Sequence, residues 1–199
     1  MKGLGRIHSL KMVLIVASVI CINMSCAVAE TINFTVGSWL RYQTVENPSI
    51  EMKRTIIGTA NLFGIDGIAI IEHEFIEPGD SEFEFGLVKE IDGVLYAYDG
   101  AMRVAILFSP GPVGTSWSWI EGDGDTEHSQ IVGIEDVGVP AGNFSNCYHI
   151  VNWEISHNDG TAQGFEEIWW HPGTGPVKAI DEVGTENQQT LVLMEYHNP

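Results

Sequence analysis

The sequence predicts an all-β protein, a single antiparallel meander curling into a barrel or half-barrel, with little or no helix outside a signal peptide. Three observations predict it. Apolar and polar side chains alternate with period two in many short runs, the pattern of a half-buried strand. Turn pairs such as Asp66-Gly67, Asp92-Gly93 and Asp159-Gly160 lie between those runs, and glycine there supplies the positive φ that tight hairpins need. No stretch after residue 29 sustains apolar spacing of three and four with caps at its ends.

Residues 1–29 have the three parts of a secretory signal. Lys2, Arg6 and Lys11 give positive charge, residues 12–22 form an apolar stretch too short to span a bilayer, and Ala27-Val28-Ala29 offers a small-x-small cleavage site. The mature chain is expected to start at Glu30. Lipid anchoring at Cys26 is the alternative, but Asn23-Met24-Ser25 places polar residues where lipoprotein signals carry apolar ones. Soluble export to the periplasm or the exterior is therefore expected.

The strands follow in order at 38–46, 51–62, 67–77, 82–87, 94–98, 102–108, 116–119, 130–138, 144–157, 163–170, 176–182 and 190–197. In 82–87, Phe83, Phe85 and Leu87 share one face and the glutamates the other. In 116–119, Trp117 and Trp119 alternate with serines. In 144–157, Cys147, Val151, Trp153 and Ile155 share a face opposite Asn152, Glu154 and Ser156. Pro140-Ala141-Gly142 starts that strand. Pro172 suits the second position of a type II turn, with Gly173 taking the positive φ that follows. Pro176 then opens the next strand, where a missing N–H is tolerated. Strands recurring every 8–12 residues in so large a sheet must close, fold over or be covered. No linker or composition shift divides 30–199, which reads as one domain.

Charge bounds the partners. The chain has 199 residues, 9 Lys and Arg against 27 Asp and Glu, and a net charge of −18. The signal holds three of the basic residues and none of the acidic ones, so 30–199 keeps 6 basic against 27 acidic, a net −21. Nucleic acid and anionic lipid surfaces both demand a basic face and are excluded. Cys21 and Cys26 leave with the signal, so Cys147 has no partner for a disulfide and reads as a buried structural thiol.

Chemical constellations are few. His73-Glu74-Phe75-Ile76-Glu77 ends in glutamate where a zinc-protease signature needs a second histidine, and a strand sends His73 and Glu74 to opposite faces. His149, His157, His171 and His197 come from C-terminal strands or turns and have no ligand-pair spacing. The acidic loop 121–127 places oxygen ligands at alternate positions, as Ca²⁺ accepts, but lacks the glycine and terminal glutamate of an EF-hand loop and reads as a solvated hairpin tip. There is no Gly-x-Ser-x-Gly elbow and no phosphate-cradling glycine loop. Asn33-Phe34-Thr35 and Asn143-Phe144-Ser145 match the glycosylation pattern, which a bacterial origin would make meaningless. Trp117, Trp119, Trp153, Trp169 and Trp170 are mainly core residues, with one of the adjacent pair Trp169 and Trp170 expected at the surface.

Val139-Pro140-Ala141-Gly142-x-Phe144-x-x-Cys147, followed by Trp169-x-x-Pro172-Gly173-x-Gly175-x-Val177-Lys178, resembles the TapB-like group of exported bacterial domains of unknown function. Gly37-Ser38-Trp39-Leu40-Arg41-Tyr42 and Pro112-Val113-Gly114-Thr115-Ser116-Trp117 agree with it. The resemblance implies the curved sheet of the LolA and LolB lipoprotein carriers, which hold lipid chains in a half-barrel. It transfers no catalytic residue. The expected function is thus non-catalytic: an exported envelope protein whose concave sheet binds a lipid, another apolar ligand or another envelope protein. Alternatives are a purely structural or interaction module without a small-molecule pocket and, behind both, a hydrolase. No catalytic, cofactor-binding or metal-binding residue is assigned, and no cofactor is expected.

Overall fold

The strands run β1 Trp39–Thr44, β2 Glu51–Leu62, β3 Ile65–Glu77 and β4 Asp80–Ile91. They continue as β5 Val94–Tyr98, β6 Val104–Phe108, β7 Ser116–Ile120 and β8 Thr126–Val139. The last four are β9 Gly142–Ile155, β10 Ala162–His171, β11 Gly175–Asp181 and β12 Gln189–His197. This computed structural model describes residues 34–62, 64–98 and 104–199. The expected signal, Cys21, Cys26, Glu30, Asn33 and the start of the strand expected at 102–108 lie outside the described residues.

All 12 strands form one sheet in the order β6-β5-β4-β3-β2-β1-β12-β11-β10-β9-β8-β7. Every pairing is antiparallel, and β1 pairs with β12, so both ends of the described chain sit mid-sheet. The sheet curls until β6 and β7 approach each other, giving a nearly closed barrel with no helix among the described residues. At that seam the Trp117 indole N–H donates to the Ile106 carbonyl at 2.9 Å. The predicted fold class is therefore the observed one.

Local turn chemistry explains most connections. Asp92 and Gly93 both take positive φ, 49° and 91°, in a two-residue hairpin where Ile91 pairs with Val94. Asp66-Gly67 behaves differently from expectation. The chain reverses before it, at Gly64, and β3 has already begun at Ile65. Gly67 keeps a φ of 69° inside the strand, and its N–H donates to Asn61 Oδ1 at 3.1 Å. The positive φ is absorbed by a pairing slip between Ala60 and Leu62, and no turn is needed there. Asp159-Gly160 sits in a wider loop, where the Gly160 N–H donates to Ser156 C=O at 2.8 Å.

Two apolar clusters hold the fold. The first fills the barrel interior with Ile71, Val88, Leu95, Phe108, Trp117, Ile131, Ile150, Ile168 and Trp170. Phe108 stacks on Trp170 with ring centres 5.0 Å apart and meets Trp117 edge-on at 6.1 Å. The second lies where the tip of the β8–β9 hairpin curls over β11 and β12, with Ala141 N–H donating to Leu193 C=O at 3.1 Å. It takes Phe144, Cys147, Trp169, Val177 and Leu193.

One expectation about faces is corrected, and in two strands the structure decides which of the two faces is inward. Trp169 and Trp170 do point opposite ways, but neither is at the surface: they are 7% and 1% exposed, because the second cluster covers Trp169. Phe83 and Phe85 share a face as predicted, yet it is the outer one, at 51% and 63% exposure, while Gly86 and Val88 line the inside. In β9 the inward side chains are Ile150 and Asn152, both buried, while Val151 and Trp153 are half-buried on the other side. This barrel interior is partly polar, so the apolar face of a strand is not always its core face.

Candidate functional site

One end of the barrel opens between β1, β2, β3, the β10–β11 turn and the tail of β12. Gly37, at a φ of 95°, turns the chain so that its N–H donates to Ile56 C=O at 2.8 Å, which sets Ser38, Trp39 and Leu40 at the rim. Register then places Leu40 beside Arg54 and Ile56 beside Ile71. Across the opening, the His171 carbonyl accepts the Thr174 N–H at 3.3 Å, with Gly173 at a φ of 84°, the turn expected from Pro172-Gly173. His171 Nδ1 lies 3.0 Å from Thr174 Oγ1 and steadies that turn. β12 pairs Tyr196 with Leu40 and His197 with Trp39, and Ser38 Oγ donates to Asn198 Oδ1 at 3.4 Å.

These elements enclose a pocket of about 60 Å³. Its wall is apolar, built by Trp39, Leu40, Ile56, Ile71 and Tyr196, and Arg54 reaches it from inside the barrel. Arg54 is only 3% exposed. Its guanidinium carbon lies 5.4 Å from the centre of the Tyr42 ring, and Tyr42 donates its hydroxyl to Pro176 C=O at 2.8 Å. Burial pushes the Tyr42 phenol up to about 12 and lowers Arg54 from its usual value. Two of the stretches that carry the family resemblance, 37–42 and 169–178, thus supply opposite sides of one pocket.

A buried polar layer lies behind Arg54. Asn152 Nδ2 donates to Glu166 Oε2 at 2.9 Å, while Glu166 Oε1 and Asn152 Oδ1 accept no hydrogen bond. Burial, then Asp181 and Glu127 nearby, hold the Glu166 carboxyl well above the usual carboxylate range, against the pull of Asn152 and Arg54. Burial also raises Glu127 to about 7 and Asp181 to about 6. His73, opposite Arg54 on β3, is pushed down to about 3 by burial and then by the Arg54 charge. This layer joins buried carboxyls, one guanidinium and an imidazole in a low-dielectric setting, where each charge state is costly unless compensated.

The residues singled out from sequence do not assemble into a centre. His149 lies 3.1 Å from Glu167 and 3.5 Å from Glu135 and stacks on Trp169 at 4.3 Å. His157 Nδ1 is 2.5 Å from Asp125 Oδ1, His171 caps its own turn, and His197 packs 6.1 Å from Trp39. In the acidic loop 121–127, Asp125 is committed to His157 and Asp123 to the Asp125 N–H, while Glu127 turns into the barrel. Among the described residues no group of three His, Cys, Asp or Glu is placed to hold a metal ion. Cys147 is buried, as expected, and burial followed by Asp136 and Glu135 pushes its thiol up to about 12, far from a nucleophile. His73 points inward and Glu74 pairs outward with Phe83, as strand geometry requires.

Sequence reasoning passed over Arg54, Asn152 and Glu166. A signal existed for the first: Arg54 stands between Met52 and Ile56 on one face of a strand whose span was read correctly, a lone cation in an apolar row. Glu166 likewise shares parity with Ile168 and Trp170.

Fold and site together define a nearly closed antiparallel barrel with an apolar pocket at one end and a charged layer beneath it. No protein-family model matches the chain, and no curated protein matches it. Among solved structures it is similar to a Bacteroides fragilis protein inferred to be exported and described as having a YmcC-like fold. That match has 12% identity and a TM-score of 0.59 and covers 85% of this chain and 100% of the other. It is also similar to a Parabacteroides distasonis protein inferred to be a lipoprotein, at 14% identity and a TM-score of 0.57, covering 87% of this chain and 100% of that one. At such identities the likeness shows a shared fold. Neither structure bears the TapB-like or LolA and LolB name, so that resemblance rests on the sequence stretches alone.

Proposed function

We propose that the protein is a non-catalytic, exported component of a bacterial cell envelope that holds the apolar part of a ligand in the pocket at the barrel end. The signal-like leader and the exported or lipoprotein descriptions of both structural neighbours support the location. The observation that carries the binding role is the pocket wall itself, in which Trp39, Leu40, Ile56, Ile71 and Tyr196 converge on one opening. Apolar surface covered there gains roughly 25 cal/mol per Å², and pockets with apolar walls and a few polar groups are the usual form of a small-molecule site.

Native mass spectrometry of protein purified from its own host, with decanol as an added probe, tests the reading. Wild type is expected to retain a ligand or take up decanol, and Thr174→Trp, which fills the mouth from the turn, to lose it. Repeated purification without ligand, together with no decanol uptake, would sink it.

One observation favours a second reading, an interaction module of envelope assembly without a small-molecule role. Stacked Phe108 and Trp170 and their neighbours occupy the barrel interior, so a long acyl chain is not enclosed there. The pocket holds the end of a ligand, and the empty result above is what the module predicts.

A further inference from the structure

We infer that the open edge of β4, from Asp80 to Gly86, takes up an extended segment of another envelope protein in which basic and apolar residues alternate. The segment adds a strand to the sheet on the side of β4 away from β3, and no residue of β4 lines the pocket.

β4 has 12 residues and β5 only 5. β3 pairs with β4 all the way from Val88 to Asp80, whereas β5 covers Leu87–Ile91 alone. Along Asp80–Gly86, every second residue therefore turns its N–H and C=O toward no strand among the described residues. Sheets blunt such an edge with a bulge, a proline, a charge or a cover. The other long one-sided stretches follow that rule. Beyond Thr55, β2 slips twice in its pairing with β3. Beyond Ile131, β8 slips in its pairing with β9, and the hairpin tip packs over β11 and β12. β4 keeps only charge for this purpose. Its register with β3 is unbroken, residues 80–86 include no proline, and Phe83 and Phe85 stand exposed on the outer face.

Charge also names the occupant. Residues 80–86 carry Asp80, Glu82 and Glu84 and no basic residue, and Glu72 and Glu74 of β3 lie beside Phe85 and Phe83. Antiparallel pairing of β4 with a second copy about Phe83 would set Glu82 of each against Glu84 of the other. Like charges directly opposite destabilise a ladder. A basic strand meets complementary charge instead. On the inner face, β2, β3 and β4 set Arg54, His73 and Glu84 in one row that ends at the open edge. Glu84 Oε2 is buried and accepts no hydrogen bond among the described residues. A lysine or arginine at the paired position of an added strand supplies that bond. The positions on either side of it fall beside Phe83 and Phe85, where valine, isoleucine or an aromatic side chain packs on the rings. In strand addition of this kind the backbone bonds give affinity and the alternate side chains give specificity.

Fluorescence anisotropy on the full mature chain tests this, with a labelled peptide of alternating lysine and valine at neutral pH and about 0.15 M salt. A peptide of the same composition, with its lysines and valines in separate blocks, controls for general attraction to 27 acidic residues. The alternating peptide is expected to bind at least about tenfold tighter, the worth of a few cross-strand pairs. It is also expected to slow amide exchange in Asp80–Gly86. Phe85→Lys should weaken it about tenfold, whereas Phe165→Lys, the same charge change at an exposed site on β10, should leave it unchanged. Should Phe85→Lys not fold, the two peptides and the exchange map decide alone. Equal binding of both peptides, binding of neither, or protection confined to other strands overturns the assignment. Wild type that dimerises in sedimentation with its Asp80–Gly86 amides protected assigns the edge to a second copy and overturns it too.

Discussion

His73 fits inside the barrel because residue 86 has no side chain. A Cβ built on Gly86 would lie 3.2 Å from His73 Nε2, tighter than ordinary contact, and the imidazole is buried with little room to retreat. Two effects compete in Gly86→Ala. Restricting the unfolded chain stabilises by about 0.4–1 kcal/mol, and overpacking a closed interior costs about 1–3 kcal/mol. The second wins, so a net loss of about 1 kcal/mol is expected in urea unfolding. The contact with His73 is the stated cause, so in a His73→Ala background the same change should become neutral or stabilising. Equal losses in both backgrounds would refute the explanation. At this scale the sequence was only partly legible. Arg54 and His73 lie on strands whose spans were readable, but nothing local says that a lone cation and an imidazole turn toward the same interior.

The strands themselves show where legibility ends. The spans 51–62 and 94–98 coincide with β2 and β5, because alternation and the Asp92-Gly93 turn are encoded within a few residues. Facing is not local. Alternation put Phe83 and Phe85 on one face of β4, but their exposure is set by closure of the barrel, which decides which side of that strand is inside. Closure in turn depends on a seam between two five-residue strands, β6 and β7, where the Trp117 N–H caps the Ile106 carbonyl. An edge left open there would offer unpaired backbone groups to other chains. Trp117→Phe keeps an aromatic ring against Phe108 and removes the donor. A loss of about 1 kcal/mol is expected, the net value of one hydrogen bond. Amide exchange should quicken in β6 and β7 and stay slow in β8 and β9, because the damage is confined to the seam. Uniform acceleration across all four strands, or none in any, would remove the seam from the account of closure.

Over the whole molecule, the dominant fact is acid inside as well as outside. Glu127 is raised from 4.5 to about 7, Asp181 from 3.8 to about 6, and Glu166 well above 4.5, each chiefly by burial. Such groups keep their protons in the folded state at pH values where the unfolded chain has released them. Their contribution is therefore complete in mild acid and is lost as pH rises toward their folded values. His73 acts oppositely. Lowered from 6.5 to about 3, it leaves the unfolded chain to take up the extra proton, so its contribution is complete above 6.5 and is lost as pH falls. Between pH 5 and 6 several carboxyls oppose one imidazole, and the repulsion among the excess surface carboxylates has the same sign as the carboxyls. Stability is thus expected to fall from pH 5 to pH 7.5. At about 1.4 kcal/mol per unit of displacement, and with part of the displacement lying outside this interval, Glu127 alone accounts for about 2 kcal/mol of that fall. Glu127→Gln should remove its share, flattening the decline of the urea midpoint. Added salt should recover only the surface part, because buried groups are screened far less. A midpoint that rises over this interval, or a Glu127→Gln curve parallel to wild type, would mean that the interior carboxyls do not govern the response to pH.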